Sequence, residues 1–155
     1  MKITVAGTGE RKSASIRPVE NEDFKVLTIK RYFFSWKHWK GKAELYKLCL
    51  DDEDDILGIM ALTNIPGDKR IEIKLLASSK ENVGSKKIYD GIAGCLIAYA
   101  CRESVKRYAG EGCVSLIPKT ELKPKYMAKY GMLDAGWQLF LEGKPLIQLI
   151  LNYLP

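Results

Sequence analysis

Few positions in this sequence join a reactive side chain to a neighbour that could activate it. The sole histidine, His38, lies in Ser35-Trp36-Lys37-His38-Trp39-Lys40. One histidine excludes multi-histidine metal sites, and any Ser-His or Cys-His nucleophile pair would have to be built on that residue. Its basic aromatic setting reads as a surface or cleft wall. The four cysteines, Cys49, Cys95, Cys101 and Cys113, have neither the C-x-x-C spacing of zinc and redox motifs nor the density of a disulfide scaffold. No metal site is expected. Cys95 and Cys101 sit in an apolar segment, where a free thiol behaves as a small hydrophobe. The five carboxylates of residues 51–55 read as a solvated turn with some capacity to attract a cationic substrate. Gly7-Thr8-Gly9 is followed by a polar stretch without the Gly-Lys-Ser/Thr ending of a phosphate loop, so it reads as an ordinary loop.

One junction differs from these. Residues 78–87 are polar, contain Gly84 and lead into the most helical segment of the chain, with Lys86 and Lys87 just before it. It is the only glycine-containing strand-to-helix junction with local positive charge. Exposed amides and the helix dipole at such a place attract phosphate without needing a particular side chain. Gly91 and Gly94 would be costly inside a buried helix. Either an anion approaches their backbone, or another element packs closely against them.

The elements that must carry these residues follow from length and periodicity. With 155 residues, 46% of them hydrophobic, residues 1–155 are expected to form a single domain. Apolar stretches at 91–101 and 146–154 fall short of the roughly 20 residues of a membrane span. The first residues are too little apolar for a secretory signal, so a cytoplasmic protein is expected. Twenty-five Lys and Arg against nineteen Asp and Glu give a net charge of +6, which suits an anionic partner: nucleic acid, a nucleotide-like cofactor or an acidic protein.

Residues 14–19 suggest a short strand, and residues 22–39, without one clean period, are expected to be helical. Alternation predicts strands at residues 44–50, 56–62 and 70–77, with Pro66-Gly67 as a turn, giving three consecutive antiparallel strands. Ile88, Ile92, Leu96 and Tyr99 form one apolar stripe and Ile97, Cys101 and Val105 a second, so this helix should be central and buried. Gly110 and Gly112 stop it before a strand at 113–117, completing a β-α-β unit. A short helix at 121–130, with Pro124 in its first turn, ends at Gly131. A strand at 136–142 follows, then an apolar terminal element of either type.

From residue 43 to 142 this order resembles the GNAT superfamily of acyl-CoA-dependent N-acyltransferases, over roughly two thirds of the chain. The resemblance implies a mixed α/β fold with a central, mostly antiparallel sheet and flanking helices. It also implies acetyl-CoA or another short acyl-CoA as co-substrate, without a metal. In that family the loop after the fourth strand carries Arg/Gln-x-x-Gly-x-Gly/Ala, whose backbone amides hold the cofactor pyrophosphate. Here Gly91-Ile92-Ala93, followed by Gly94, fills the glycine part. Ile88 stands at the Arg/Gln position, while Lys86 and Lys87 offer cationic contacts; a register on Glu81, Gly84 and Lys86 matches less of the pattern. The same resemblance adds Leu76, Ala77 and Ser78 to the cofactor-binding set.

Tyr126-Met127-Ala128-Lys129-Tyr130-Gly131-Met132 is similar to the family's Tyr-x-x-x-Gly-Phe stretch, although Tyr126 lies one residue too far from Gly131 and Met132 replaces Phe. The resemblance gives Tyr126 the role of protonating the leaving thiolate, with Tyr130 as competitor. It makes Glu72, on the fourth strand of the family pattern, the base for the attacking amine, directly or through water. The alternative for Glu72 is a surface carboxylate beside Lys74. The implied reaction is direct transfer of an acetyl or short acyl group to the primary amine of a small molecule or peptide, with no cysteine intermediate.

Two readings from other classes stand beside it. One is a basic module for single-stranded nucleic acid, in which Lys30, Arg31, Lys37, Lys40, Lys42 and Lys47 interleave with Tyr32, Phe33, Phe34, Trp36 and Trp39. The other is a catalytically silent acyltransferase fold, favoured by Ile88 at the Arg/Gln position.

Overall fold

The alternating segments become strands, and the apolar-all-round segment becomes a buried helix. A computed structural model describes residues 1–155. Strands β1 (Lys2–Val5) and β2 (Arg11–Pro18) form an antiparallel hairpin with Lys2 opposite Ser13. A 3-10 turn (Asn21–Lys25), the four-residue helix α1 (Ile29–Tyr32) and a second 3-10 turn (Trp36–Trp39) follow. Next come β3 (Glu44–Leu50), β4 (Gly58–Ile65), β5 (Arg70–Ser78) and the two-residue β6 (Tyr89–Asp90). The chain continues through α2 (Ile92–Tyr108), β7 (Cys113–Leu116), α3 (Lys123–Tyr130), β8 (Leu133–Asp134), β9 (Leu139–Glu142) and α4 (Gly143–Tyr153). No helix is long and apolar enough to cross a membrane.

Contacts divide the chain into two compact units, Met1–Ala61 with Leu75–Leu96, and Leu62–Lys74 with Ile97–Pro155, so that β4, β5 and α2 each contribute to both. In the first unit the strands neighbour one another in the order β6-β1-β2-β3-β4-β5, with β1 antiparallel to β6 and β2 antiparallel to β3. Its core gathers Leu27, Tyr32, Trp36, Cys49, Ile56, Ile59, Ala61 and Ala77. The two large aromatics are buried with their polar atoms satisfied: Tyr32 Oη donates to the Ile56 carbonyl (2.8 Å) and Trp36 Nε1 to the Tyr32 carbonyl (2.9 Å).

In the second unit the order is β4-β5-β7-β9-β8. β5 runs parallel to β7, with Arg70 opposite Cys113 and Ile73 opposite Leu116, while β9 is antiparallel to both β7 and β8. A parallel pair needs a crossover, and α2 supplies it, as the β-α-β reading expects. The fold class is therefore mixed α/β with a mostly antiparallel sheet.

Three expectations need correction. Residues 22–39 do not form a regular helix: Leu27, Tyr32 and Trp36 are each buried without a common 3.6-residue spacing, so the backbone turns between them. Ile88 does not belong to the helical stripe, because Gly91 at φ +95° cannot continue a helix; α2 begins at Ile92 and Ile88 lies half exposed. The strand expected at 136–142 is shorter, since Gly136 (φ +94°) and the Ala135 N–H bond to the Gln138 carbonyl make a turn ahead of β9. The terminal apolar element is helix α4.

Candidate functional site

The junction between β5 and α2 lies within the first unit and is held from several sides. The Ser79 N–H donates to the Leu57 carbonyl (2.9 Å). Asn82, buried, bridges the loop: its Nδ2 donates to Ser79 Oγ (2.8 Å) and its Oδ1 accepts from the Tyr89 N–H (2.9 Å). Ile88 donates its N–H to the Glu81 carbonyl (3.3 Å), and its own carbonyl accepts from the Ala6 N–H (2.9 Å). β6 then pairs with β1, placing Asp90 opposite Thr4 and Tyr89 opposite Val5.

This ordered loop delivers Gly91 to the head of α2. At φ +95° its backbone is in a region that side chains disfavour, and a Cβ built there would meet nothing within 4 Å. The space in front of the glycine is open. The Gly91 carbonyl accepts from the Cys95 N–H (3.0 Å), so the helix starts cleanly, and the amides of Ile92, Ala93 and Gly94 have no acceptor of their own in the helix. These amides, the helix dipole and the absent side chain are what an anion such as a pyrophosphate requires.

Two residues that sequence reasoning missed shape this spot. Asp90 accepts the Gly91 N–H on its Oδ1 (2.9 Å) and pairs with Lys87 Nζ (3.0 Å), so a carboxylate engages one loop amide and one of the two nominated lysines. Asn82 organises the loop as described. The Asp-Gly pair was the available signal, being a common turn dipeptide. Lys86 is exposed to solvent, and Ala93 is half-buried. Leu76 and Ser78 are half-buried, whereas the Ala77 side chain is committed to the core and leaves only its backbone for a ligand.

Glu72 and Tyr126 belong to the second unit. Glu72 is 8% exposed, so the surface-carboxylate alternative does not hold, but the expected neighbour is present: Lys74 Nζ lies 2.8 Å from its Oε2. Opposite Glu72 stands Ser115, whose Oγ accepts from Arg70 (2.6 Å). Tyr126 is half-buried on α3 with its ring 5.6 Å from that of Tyr130. Burial pushes the Tyr126 phenol above its ordinary pKa. Tyr130 is 7% exposed, with its ring tilted against that of Tyr153 at 6.2 Å. His38 is exposed, while Cys49, Cys95 and Cys101 are buried thiols. No group of three His, Cys, Asp or Glu residues is arranged to hold a metal ion.

No family model matches the sequence, and no curated protein matches it either. Solved structures do. A chimera of the Vibrio cholerae spermidine N-acetyltransferase SpeG with hSSAT superimposes with a TM-score of 0.66 at 14% identity, covering 88% of this chain and 99% of that one. A structure from Bacillus anthracis str. Ames, in complex with acetyl coenzyme A, gives 0.62 at 14% identity over 84% of this chain and 98% of the other. The chain has the GNAT fold. A further GNAT-fold neighbour, AtaT complexed with acetyl-methionyl-tRNAfMet, has a TM-score of 0.58 at 15% identity over 88% of this chain and 99% of that chain. Within the GNAT fold β5, α2 and β7 correspond to the strand-loop-helix-strand unit on which the sequence resemblance rested, and Gly91 lies at its strand-to-helix junction.

Proposed function

We propose that this chain transfers an acetyl or other short acyl group from acyl-CoA to a primary amine by direct attack, in the cytoplasm. The observation that carries the reading is the Gly91 junction: open space at a left-handed glycine, directly before the free amides of a 17-residue helix, in a GNAT fold. The amides of Ile92, Ala93 and Gly94 would hold the pyrophosphate, with Lys86 adding charge and Leu76, Ala77 and Ser78 lining the approach through their backbone. Acyl-CoA supplies an activated acyl carbon. Glu72, directly or through water, accepts the proton that the amine loses as its nitrogen bonds to that carbon. Tyr126 donates a proton to the departing sulfur, so the products are an amide and free thiol. Holding the amine beside the thioester supplies much of the acceleration, which is why few side chains are needed. The acceptor is an amine on a small molecule or peptide.

Calorimetry with acetyl-CoA tests the proposal. Wild type should bind and Gly91→Val should not, while the variant still unfolds cooperatively. Absence of heat with any short acyl-CoA, or normal binding by Gly91→Val, would sink it. Ile88 at the Arg/Gln position and Asp90 on the loop amide favour one second reading, a scaffold that binds acyl-CoA without turnover. Binding with no acylated amine across a panel of polyamines and amino acids would select it.

A further inference from the structure

The positive charge of this protein is not spread over it. Residues 24–43 contain Lys25, Lys30, Arg31, Lys37, Lys40 and Lys42 and no Asp or Glu, leaving nineteen basic and nineteen acidic residues in the rest of the chain. The whole net charge of +6 therefore resides in twenty consecutive residues of the first unit. Arg31 is neutralised locally, bidentate to Asp55 (2.8 and 2.9 Å) and bonded to Glu81 (2.5 Å). The five lysines are exposed, and none has a carboxylate within ion-pair distance. Outside this segment some bases stand beside acids, as Lys47 does with Asp23 (2.7 Å), Lys87 with Asp90 (3.0 Å) and Lys123 with Asp134 (2.8 Å).

Aromatic rings accompany these lysines. Lys40 Nζ sits 5.8 Å from the centre of the Phe24 ring, Lys42 Nζ lies 3.4 Å from His38 Nε2, and the exposed His38 ring meets the half-exposed Trp39 edge-on at 5.8 Å. A cavity of about 360 Å³ opens beside Phe24, Lys40 and Gly41; the one carboxylate lining it, Glu44, accepts from Tyr46 Oη (2.9 Å). At the end of α1, Phe33 holds φ +73° and is 44% exposed. A bulky residue in that region is strained, and glycine would fit better, yet the position presents a phenyl ring to water.

We propose that residues 24–43 form a docking surface for single-stranded nucleic acid. Lys25, Lys30, Lys37, Lys40 and Lys42 take the phosphates, and Trp39 and Phe33 offer stacking faces to bases. A duplex fits less well, because α1 has only four residues and the other turns are 3-10, so no helix here could fill a major groove. Tyr32, Trp36 and Lys47 take no part: the first two are core residues and the third is buried on Asp23. This surface does not depend on the acyl-transfer reading.

Fluorescence anisotropy with a labelled oligouridylate of about 15 nucleotides tests it. Five phosphate contacts predict that wild-type affinity falls about 100-fold between 50 and 200 mM salt. Lys37→Gln/Lys40→Gln/Lys42→Gln should bind weakly and lose less than about 10-fold over the same range. Trp39→Ala should cost about 10-fold without changing the salt slope. Lys119→Gln/Lys125→Gln, elsewhere on the surface, should behave as wild type. Circular dichroism melts confirm that each variant is folded, and acetyl-CoA calorimetry on the triple variant should be unchanged. No binding by wild type at 50 mM salt, an unaltered slope in the triple variant, or preference for anionic phosphatidylserine vesicles over the oligonucleotide would overturn the proposal.

Discussion

Ile92 sits so closely over Gly58 that a methyl group at residue 58 would stand 2.5 Å from Ile92 Cγ2 and 3.0 Å from Leu96 Cδ1. Gly58 opens β4 and Ile92 opens α2, so this contact sets how near the head of the helix approaches the sheet. Gly58→Ala should push the first turn of α2 outward and cost about 1–3 kcal/mol, as overpacking does. A urea titration gives the stability loss, and weaker acetyl-CoA binding in the folded variant is expected with it. Wild-type stability in Gly58→Ala would mean that the helix can slide without cost.

Asp90 places negative charge beside the amides proposed for the pyrophosphate. Asp90→Asn keeps an oxygen for the Gly91 N–H, removes that charge and releases Lys87. Acetyl-CoA should then bind several-fold more tightly, with the gain shrinking as salt rises. Calorimetry at two ionic strengths measures this, and weaker binding would show that Asp90 supports the loop more than it opposes the ligand.

Glu72 and Tyr126 should fail differently. Glu72→Gln should lower turnover by on the order of 10²–10⁴-fold, most severely on the acid side where the amine most needs a base. Tyr126→Phe should lower turnover with acetyl-CoA affinity nearly unchanged, because its proton is needed only once the sulfur departs. Full activity of Tyr126→Phe with loss in Tyr130→Phe would exchange the two tyrosines. Full activity of Glu72→Gln would leave water or the substrate as proton acceptor.

Stability should decline at both ends of the pH scale for separate reasons. Burial pushes the Tyr32 phenol up to about 12 and the Cys95 thiol up to about 11. Their contribution is complete below the pKa values of the unfolded chain and is lost as pH rises toward those of the folded protein. The hydrogen bond from Arg31 holds Glu81 below its ordinary value, so that contribution is present above about pH 4.5 and is lost as pH falls through the lowered value. Glu81→Gln should flatten the acid limb. Tyr32→Phe should flatten the alkaline limb and cost about 1–3 kcal/mol at neutral pH by leaving the Ile56 carbonyl unpartnered. Melting curves from pH 3 to 11 decide both.

The thiols should prove dispensable. Cys95 and Cys101 are buried with raised pKa values, Cys49 and Cys113 are also pushed up, and none is poised as a thiolate. Replacing all four by Ala or Ser should lower stability and retain acyl transfer at a permissive temperature. An acyl-cysteine formed fast enough to lie on the reaction path would contradict direct attack.

Legibility in the sequence followed the range of the interactions. Residues 44–50 and 70–77 alternate, and β3 and β5 fall there almost to the residue. The apolar girth of α2 announced its burial. Glu72 shows where alternation misleads: it shares a strand face with the exposed Lys74, yet it is buried. β6 was invisible because two residues carry no period and their partners, Thr4 and Val5, lie more than eighty positions away. The irregular path from 22 to 39 is set by where Tyr32 and Trp36 find their carbonyl acceptors, which local pattern does not encode. Gly91 was legible as a glycine out of place in a helix; nothing in the local pattern singled out the Asp90 carboxylate beside it.

The pairing of Tyr89 and Asp90 with β1 has a thermodynamic consequence for any ligand at the head of α2. A loop tied to the first strand loses its conformational entropy when the protein folds, and little is left to lose when an anion arrives. Removing residues 1–5 would move that entropic penalty from folding to binding. The amides before α2 would still be there to make the same contacts, but each encounter would first have to arrest a moving loop, so the loss would appear in the entropy of association and leave the enthalpy of the contacts nearly intact.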